Sequence, residues 1–207
     1  MTDLTPLAAV AALNLAAAIS PGPAFVLITR TAAASSRSSA VKAAAGTVVA
    51  SLIWAAAALL GLQMLLTQAA GLYRVIQVAG GLYLCLIGTI MWRHAPDPMP
   101  AGSAGNVQVR GAFTKGLLLG LSNPKVVVFF GTVFTTAFAT STPTPVKWAA
   151  LLVVLCNESI WYGSIALCFG SSLVQRRYRR VKASLERIFG ALLTVFGAKL
   201  VWNGAHA

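Results

Sequence analysis

Six stretches of mostly apolar residues recur along the chain, each near the ~20 residues that a helix needs to cross a bilayer's hydrocarbon core. They run roughly Leu7–Thr29, Ala43–Leu66, Val75–Trp92, Leu117–Ala139, Trp148–Gly170 and Leu185–Trp202, the last being the shortest. Of the 207 residues, 57% are hydrophobic and 10% charged, where a soluble domain carries about 25% charge. So little charge cannot cover a water-facing surface, and the chain reads as an all-α integral membrane protein. The first basic residue is Arg30, and Asp3 is acidic. A cleaved leader begins with a basic region instead, so the first apolar stretch is expected to stay in place.

The sixteen Lys and Arg outnumber the four Asp and Glu, for a net charge of +12. On a soluble protein that excess would point to nucleic acid. Here the basic residues sit between apolar stretches, so no nucleic-acid partner is expected. Arg30, Arg37 and Lys42 occupy the first connection, and Arg93, Arg110 and Lys115 the third. Arg176, Arg177, Arg179, Arg180 and Lys182 occupy the fifth, where "QRRYRR" reads as a topology anchor. The second and fourth connections carry only Arg74 and Lys147. Basic connections stay on the cytoplasmic side, next to anionic lipid. Six spans then put both termini outside, with Trp92, Trp148 and Trp202 at span ends, where indole rings favour the interface.

Two spans interrupt themselves. The first carries Ser20-Pro21-Gly22-Pro23 and the fourth Ser122-Asn123-Pro124-Lys125. Proline inside a helix removes an amide donor and clashes with the preceding turn. Broken backbone at membrane depth is tolerated where it faces protein or a water-filled cavity. Between the halves lies "RHAPDPMPAGSAGNVQVRG", a Pro-, Gly- and Ser-rich loop without apolar periodicity. Three spans per half would make a duplicated half insert upside down, as in many secondary transporters. Ordered echoes support such a duplication: the two breaks, "SLIW" at 51–54 with "ESIW" at 158–161, and Gly81/Gly88 with Gly190/Gly197 at equal separation. The expected organisation is one transmembrane domain over 1–207. Its first repeat spans about 4–93, a cytoplasmic loop 94–111, and an inverted second repeat about 112–204. Paired interruptions in two halves point to a transport site, with Pro21, Gly22, Pro23 and Pro124 as hinges.

Of the acids, Glu158 alone lies near the middle of an apolar span. An acid there costs about 2.5–3.5 kcal/mol on insertion scales, which makes it a functional candidate. It can carry a proton or balance a substrate ammonium, or form a buried pair with Lys125. Lys125 itself can attract a substrate carboxylate, pair with Glu158, or only anchor at the interface. Asn123 and Ser20 complete the candidate substrate and proton site. Asn14, Gln77 and Asn157 can line a polar path or bond between helices, and the sequence does not rank them. Lys199 is expected to snorkel. Cys85, Cys156 and Cys168 read as small buried residues without metal-ligand spacing.

The segments "SPGP" (20–23), "GGLYLCLIG" (80–88), "FTKGLLLGLSNPKVVVFF" (113–130) and "ERIFGALLTVFGAKL" (186–200) resemble the lysine exporter (LysE/RhtB) superfamily, in its homoserine/threonine-type branch. The resemblance runs from Leu7 to Trp202. It implies a six-helix protein of the bacterial inner membrane that exports amino acids in exchange for protons, often as a homodimer. Pro21-Gly22-Pro23 and Asn123-Pro124-Lys125 match that family's two breaks. Glu158 matches a position where members often carry aspartate. Ala24 stands where members commonly have Asn or Asp, and a frequent acid near Ser51 is missing. One central carboxylate suits a neutral zwitterion (threonine-, homoserine-, leucine- or cysteine-like) better than a cationic substrate.

An enzyme would need convergent nucleophiles, bases or metal ligands. The two His residues are His94 in the loop and His206 near the end, so no enzymatic activity, cofactor or metal is expected. A non-transporting structural or sensory protein is the alternative of another class, and a cation exporter of a related branch the alternative within transport.

Overall fold

The computed structural model describes residues 5–68, 70–97, 111–138, 142–169 and 171–206. Among them are eight helices and no strand: α1 (Thr5–Ile19), α2 (Pro23–Ala34), α3 (Arg37–Gln68), α4 (Ala70–His94), α5 (Ala112–Leu121), α6 (Pro124–Ala137), α7 (Thr144–Cys168) and α8 (Ser172–His206). Each expected break is real. The chain bends by 55° between α1 and α2 and by 57° between α5 and α6. At both places a proline takes the first turn of the new helix, where its missing amide costs least. Asn123 caps α6, its side chain accepting from the Lys125 amide at 3.0 Å.

Among the described residues, segments 37–61, 144–168 and 173–206 are helices long and apolar enough to cross a membrane, and counting each bent pair as one span brings that number to five. The span expected at Val75–Trp92 lies within α4. Much of the outer surface is apolar: Leu60, Leu82, Leu152, Ile160, Val195 and Trp202 are all exposed.

Lipid is as apolar as leucine, so helices in a bilayer associate through close packing, with small residues at the contacts. Gly81 lies against the Gly197 carbonyl and Gly88 against the Gly190 carbonyl, with α4 and α8 antiparallel. α3 meets α5 in the same way, through Gly46 on the Phe113 carbonyl and Gly116 on the Ala43 carbonyl. On α7 the inward stripe is Val146, Ala150, Val154, Glu158, Tyr162 and Ala166, four residues apart throughout. Side chains at that spacing share a helix face, so Glu158 points at the bundle interior. Phe130 and Phe134 on α6 and Phe138 just past its end stack edge to face, with centroids 5.4 and 5.6 Å apart.

Two expectations need correction. "QRRYRR" is not a connection but the opening of α8, which runs unbroken into the last apolar stretch. Arg is a good helix former, and Tyr178 turns inward to stack on Phe25 at 5.5 Å and meet Phe169 edge-on at 5.2 Å. The cysteines are not buried: Cys156 and Cys168 are exposed and Cys85 is half-buried. Glu186, at the edge of the last apolar stretch, lies one helical turn after Lys182. Both are buried and bonded at 2.7 Å. Most of the loop expected at 94–111 lies outside the described residues. α5 starts after Gly111, whose φ of 77° is in the left-handed region that favours glycine.

Candidate functional site

α1, α2, α3, α5, α6 and α7 converge on a cavity of about 40 Å³. That is room for a few waters at roughly 10–15 Å³ each, and far below the ~300 Å³ at which small-molecule pockets begin. Of the residues picked from sequence, Ser20, Gly22, Pro23, Asn123, Lys125 and Glu158 all line it. Pro21 faces an adjoining cavity, and Pro124 is exposed at the start of α6 and lines neither. Both breaks and the central carboxylate therefore meet at one place.

Glu158 is 4% exposed and accepts from Asn14 Nδ2 at its Oε1, 3.0 Å away. The Ser51 hydroxyl on α3 is a second hydrogen-bonding neighbour of the carboxylate, while by strict geometry its Oε2 and the Asn14 Oδ1 have no partner among the described residues. Leaving buried acceptors unfilled costs roughly 1–3 kcal/mol apiece, more for a charged group. Both residues line the cavity, so these acceptors are placed to meet donors there. Neighbouring Thr47 and Ser51 on α3 and Tyr162 on α7 add hydroxyl-bearing side chains.

The same residues repair the broken backbone. A helix end leaves carbonyls without partners, and in a membrane water cannot supply them. Lys125 Nζ donates to the Ala17 carbonyl at 3.0 Å, near the end of α1. Tyr178 donates to the Ile19 carbonyl at 3.4 Å, and Trp54 Nε1 to the Leu121 carbonyl at 3.3 Å where α5 stops. Lys125 thus ties the two breaks together, and among the described residues it forms no ion pair with Glu158. α2, by contrast, starts at Gly22 without a side-chain cap, and its first residues Pro23, Ala24 and Phe25 line the cavity. The positive end of that helix dipole is directed at the site.

The other polar candidates separate as well. Asn14 belongs to the site. Asn157 bonds from α7 to the Ala11 carbonyl at 2.9 Å and ties helices together. Gln77 is buried near Gly204, away from the cavity. Thr47, Ser51 and Tyr162 were not among the site residues read from the sequence. Tyr162 carried a signal, standing four residues after Glu158 on the same face. Among the described residues, no three His, Cys, Asp or Glu side chains group as metal ligands.

Comparison with known proteins places this arrangement. The threonine efflux protein of Salmonella typhi is 33% identical over 196 residues, covering 93% of this chain and 95% of that protein. The threonine efflux protein of Escherichia coli (strain K12) matches over the same length at the same identity. An uncharacterized membrane protein of Haemophilus influenzae is 30% identical over 193 residues, covering 91% of this chain. No solved structure matches. The family model described as LysE type translocator matches residues 15–204, a stretch that holds both breaks, Glu158 and nearly all of the helical bundle. The chain belongs to the LysE family of membrane translocators.

Proposed function

We propose that the protein is a secondary exporter of small neutral amino acids in the bacterial inner membrane, driven by proton exchange and working by alternating access. The observation that carries this is the meeting of two helix breaks with the Glu158 carboxylate in one wall-to-wall cavity. A zwitterion fits the chemistry on offer. Its ammonium brings three donors, which suit Glu158 Oε2 and Asn14 Oδ1. Its carboxylate suits the uncapped start of α2, in the way half-helix N-termini hold anionic groups in other transporters. The relatives named for threonine efflux favour a substrate of threonine's size and charge.

In this reading Glu158 alternates between a proton and the substrate ammonium. Only one can sit on the carboxylate at a time, which is the requirement for exchange. The present cavity is too small for an amino acid, so it corresponds to a closed intermediate. Opening to either side needs the bent pairs to move, with Pro21, Gly22, Pro23 and Pro124 as hinges. Two inverted three-helix repeats would give the two openings matching mechanics. The near-equal bends of 55° and 57° and the antiparallel glycine contacts of α4 and α8 support that symmetry.

The test is Glu158→Gln in reconstituted vesicles under an imposed pH gradient. Glutamine keeps the shape and the Asn14 contact but cannot titrate. Gradient-driven threonine movement should fall at least 100-fold while the protein still inserts. Wild-type rates in the variant across pH would remove Glu158 from coupling. A dipeptide-feeding screen, comparing growth with and without expression for each amino acid, then fixes the substrate.

A further inference from the structure

Between α7 and α8 runs a groove of about 300 Å³ that takes no part in the Glu158 cavity. Trp161, Ser164, Ile165 and Cys168 line it from α7. Val174, Arg177, Tyr178 and Val181 line it from α8. Both sets follow the i, i+3, i+4, i+7 spacing of a single helix face, so one face of each helix borders the groove. The two backbones do not pack closely together, because α8 lies mainly against α4. Ile165, Tyr178 and the neighbouring Phe169 are buried, whereas Ser164, Cys168, Arg177 and Val181 are exposed. The groove lies where α7 ends and α8 begins, on the face that the basic connections assign to the cytoplasm.

This lining is apolar with a cationic edge. Arg177 is its charged member, and Arg180 follows three residues on, a neighbour on the helix surface. Among the described residues neither guanidinium forms an ion pair or a hydrogen bond. Trp161 has a buried indole Nε1 without a partner among the described residues, and an indole can only donate. The inner leaflet is anionic, and its phospholipids join a phosphate, ester oxygens and acyl chains in one molecule. The guanidinium fork suits phosphate, and basic pockets between membrane helices on the cytoplasmic side bind such headgroups. A second copy of the chain has little to offer the arginines, since it carries four acids and Glu158 and Glu186 are buried.

We propose that the groove is a site for one anionic phospholipid. Arg177 and Arg180 hold its phosphate, an ester oxygen accepts from Trp161, and one acyl chain lies on Ile165, Phe169 and Tyr178. The same rings support the first helix break. Tyr178 donates to the Ile19 carbonyl at 3.4 Å and stacks on Phe25 at 5.5 Å, and Phe169 meets Phe25 edge-on at 5.2 Å. A chain seated there packs on the aromatic cluster that joins the end of α1 to α2. Bound lipid therefore steadies the folded bundle by mass action, whatever substrate the protein carries.

The test is thermal unfolding of the purified full chain in detergent, with dioleoylphosphatidylglycerol or dioleoylphosphatidylcholine added to saturation. The anionic lipid should raise Tm by about 5 °C or more above the zwitterionic one, the shift for a ligand near a hundredfold above its Kd. Arg177→Gln/Arg180→Gln should lose at least half of that difference. Arg176→Gln/Arg179→Gln removes the same charge from residues outside the lining and should keep it. Ser164→Trp fills the groove from an exposed position and should abolish it. Brominated phosphatidylglycerol should quench tryptophan fluorescence more than brominated phosphatidylcholine, and Trp161→Phe should remove that excess. Equal shifts by the two lipids on the wild type overturn the site, whether or not any variant inserts. Equal losses in the two double variants assign the effect to positive charge in general and overturn it too. So does excess quenching that survives in Trp161→Phe. A dimer that Ser164→Trp dissociates while the lipid response persists gives the groove to a second copy and overturns lipid occupancy. None of these outcomes alters the result expected for Glu158→Gln.

Discussion

Lys182 offers a sharp test of how the bundle is held. Its ammonium reaches Glu186 Oε2 at 2.7 Å, one helical turn on, with both side chains only 6% exposed. It also donates to the carbonyls of Asp97 at 3.0 Å, Ala95 at 3.3 Å and His94 at 3.4 Å. One cation therefore closes the C-terminal end of α4 and fastens it to α8. Lys182→Met removes the charge while keeping the length of the side chain. The Glu186 carboxylate is then left buried without its partner, a situation that costs about 3–5 kcal/mol. Lys182→Met/Glu186→Leu removes both charges. What remains is the loss of the carbonyl contacts, about 1.5–3 kcal/mol for a charged hydrogen bond of this kind, some of it recovered by water because His94 and Asp97 are exposed. A chain of this size loses about 2–4 °C in Tm per kcal/mol. Thermal unfolding in detergent, followed by size-exclusion of the surviving fold, should give a drop of about 6–20 °C for the single variant. The double variant should melt several degrees above the single one. A double variant melting at or below the single would refute the reasoning, because the buried carboxylate would then not be the source of the cost.

Glycine contacts and caps give two further tests. In Gly190→Ala the new Cβ would stand 2.6 Å from the Gly88 carbonyl oxygen and 3.2 Å from the Trp92 amide. Both are backbone atoms that cannot rotate away, so the variant should lose at least the ~1–3 kcal/mol of an overpacked core. In Gly163→Ala the new Cβ meets nothing within 4 Å, and the same melting assay should read a neutral effect or a gain of up to ~1 kcal/mol from helix propensity. Asn123→Ala removes the α6 cap and should cost about 0.5–2 kcal/mol. Asn123→Asp should recover most of that loss, measured by unfolding of the purified protein.

Much of this protein was legible in its residues. The prolines at 21, 23 and 124 announce two broken helices, because no helix absorbs that pattern unbent, and both bends are present. Glu158 stood out because an acid in the middle of an apolar span needs a reason to be there. Its partner did not. Asn14 lies 144 residues away in sequence, and no local pattern distinguishes it from Asn157 or Gln77. The reading of "QRRYRR" as a connection failed for a related reason. Charge density marks water-facing residues, and only the packing of Tyr178 against Phe25 and Phe169 reveals that this run continues as helix. Lys182 and Glu186 were hidden in the same way, since a charge next to arginines looks solvated until α4 is seen to end upon it.

By itself the sequence determined that the chain enters a membrane, where it breaks, and which acid sits at depth. Each of these follows from local composition acting over a few turns of helix. Only the tertiary structure decided that the two breaks and Glu158 share a single cavity, and that Lys125 repairs the end of α1 rather than pairing with Glu158. Those outcomes depend on which helix faces meet, and small-residue seams such as Gly81–Gly197 fix that meeting through backbone contact between segments far apart in the chain.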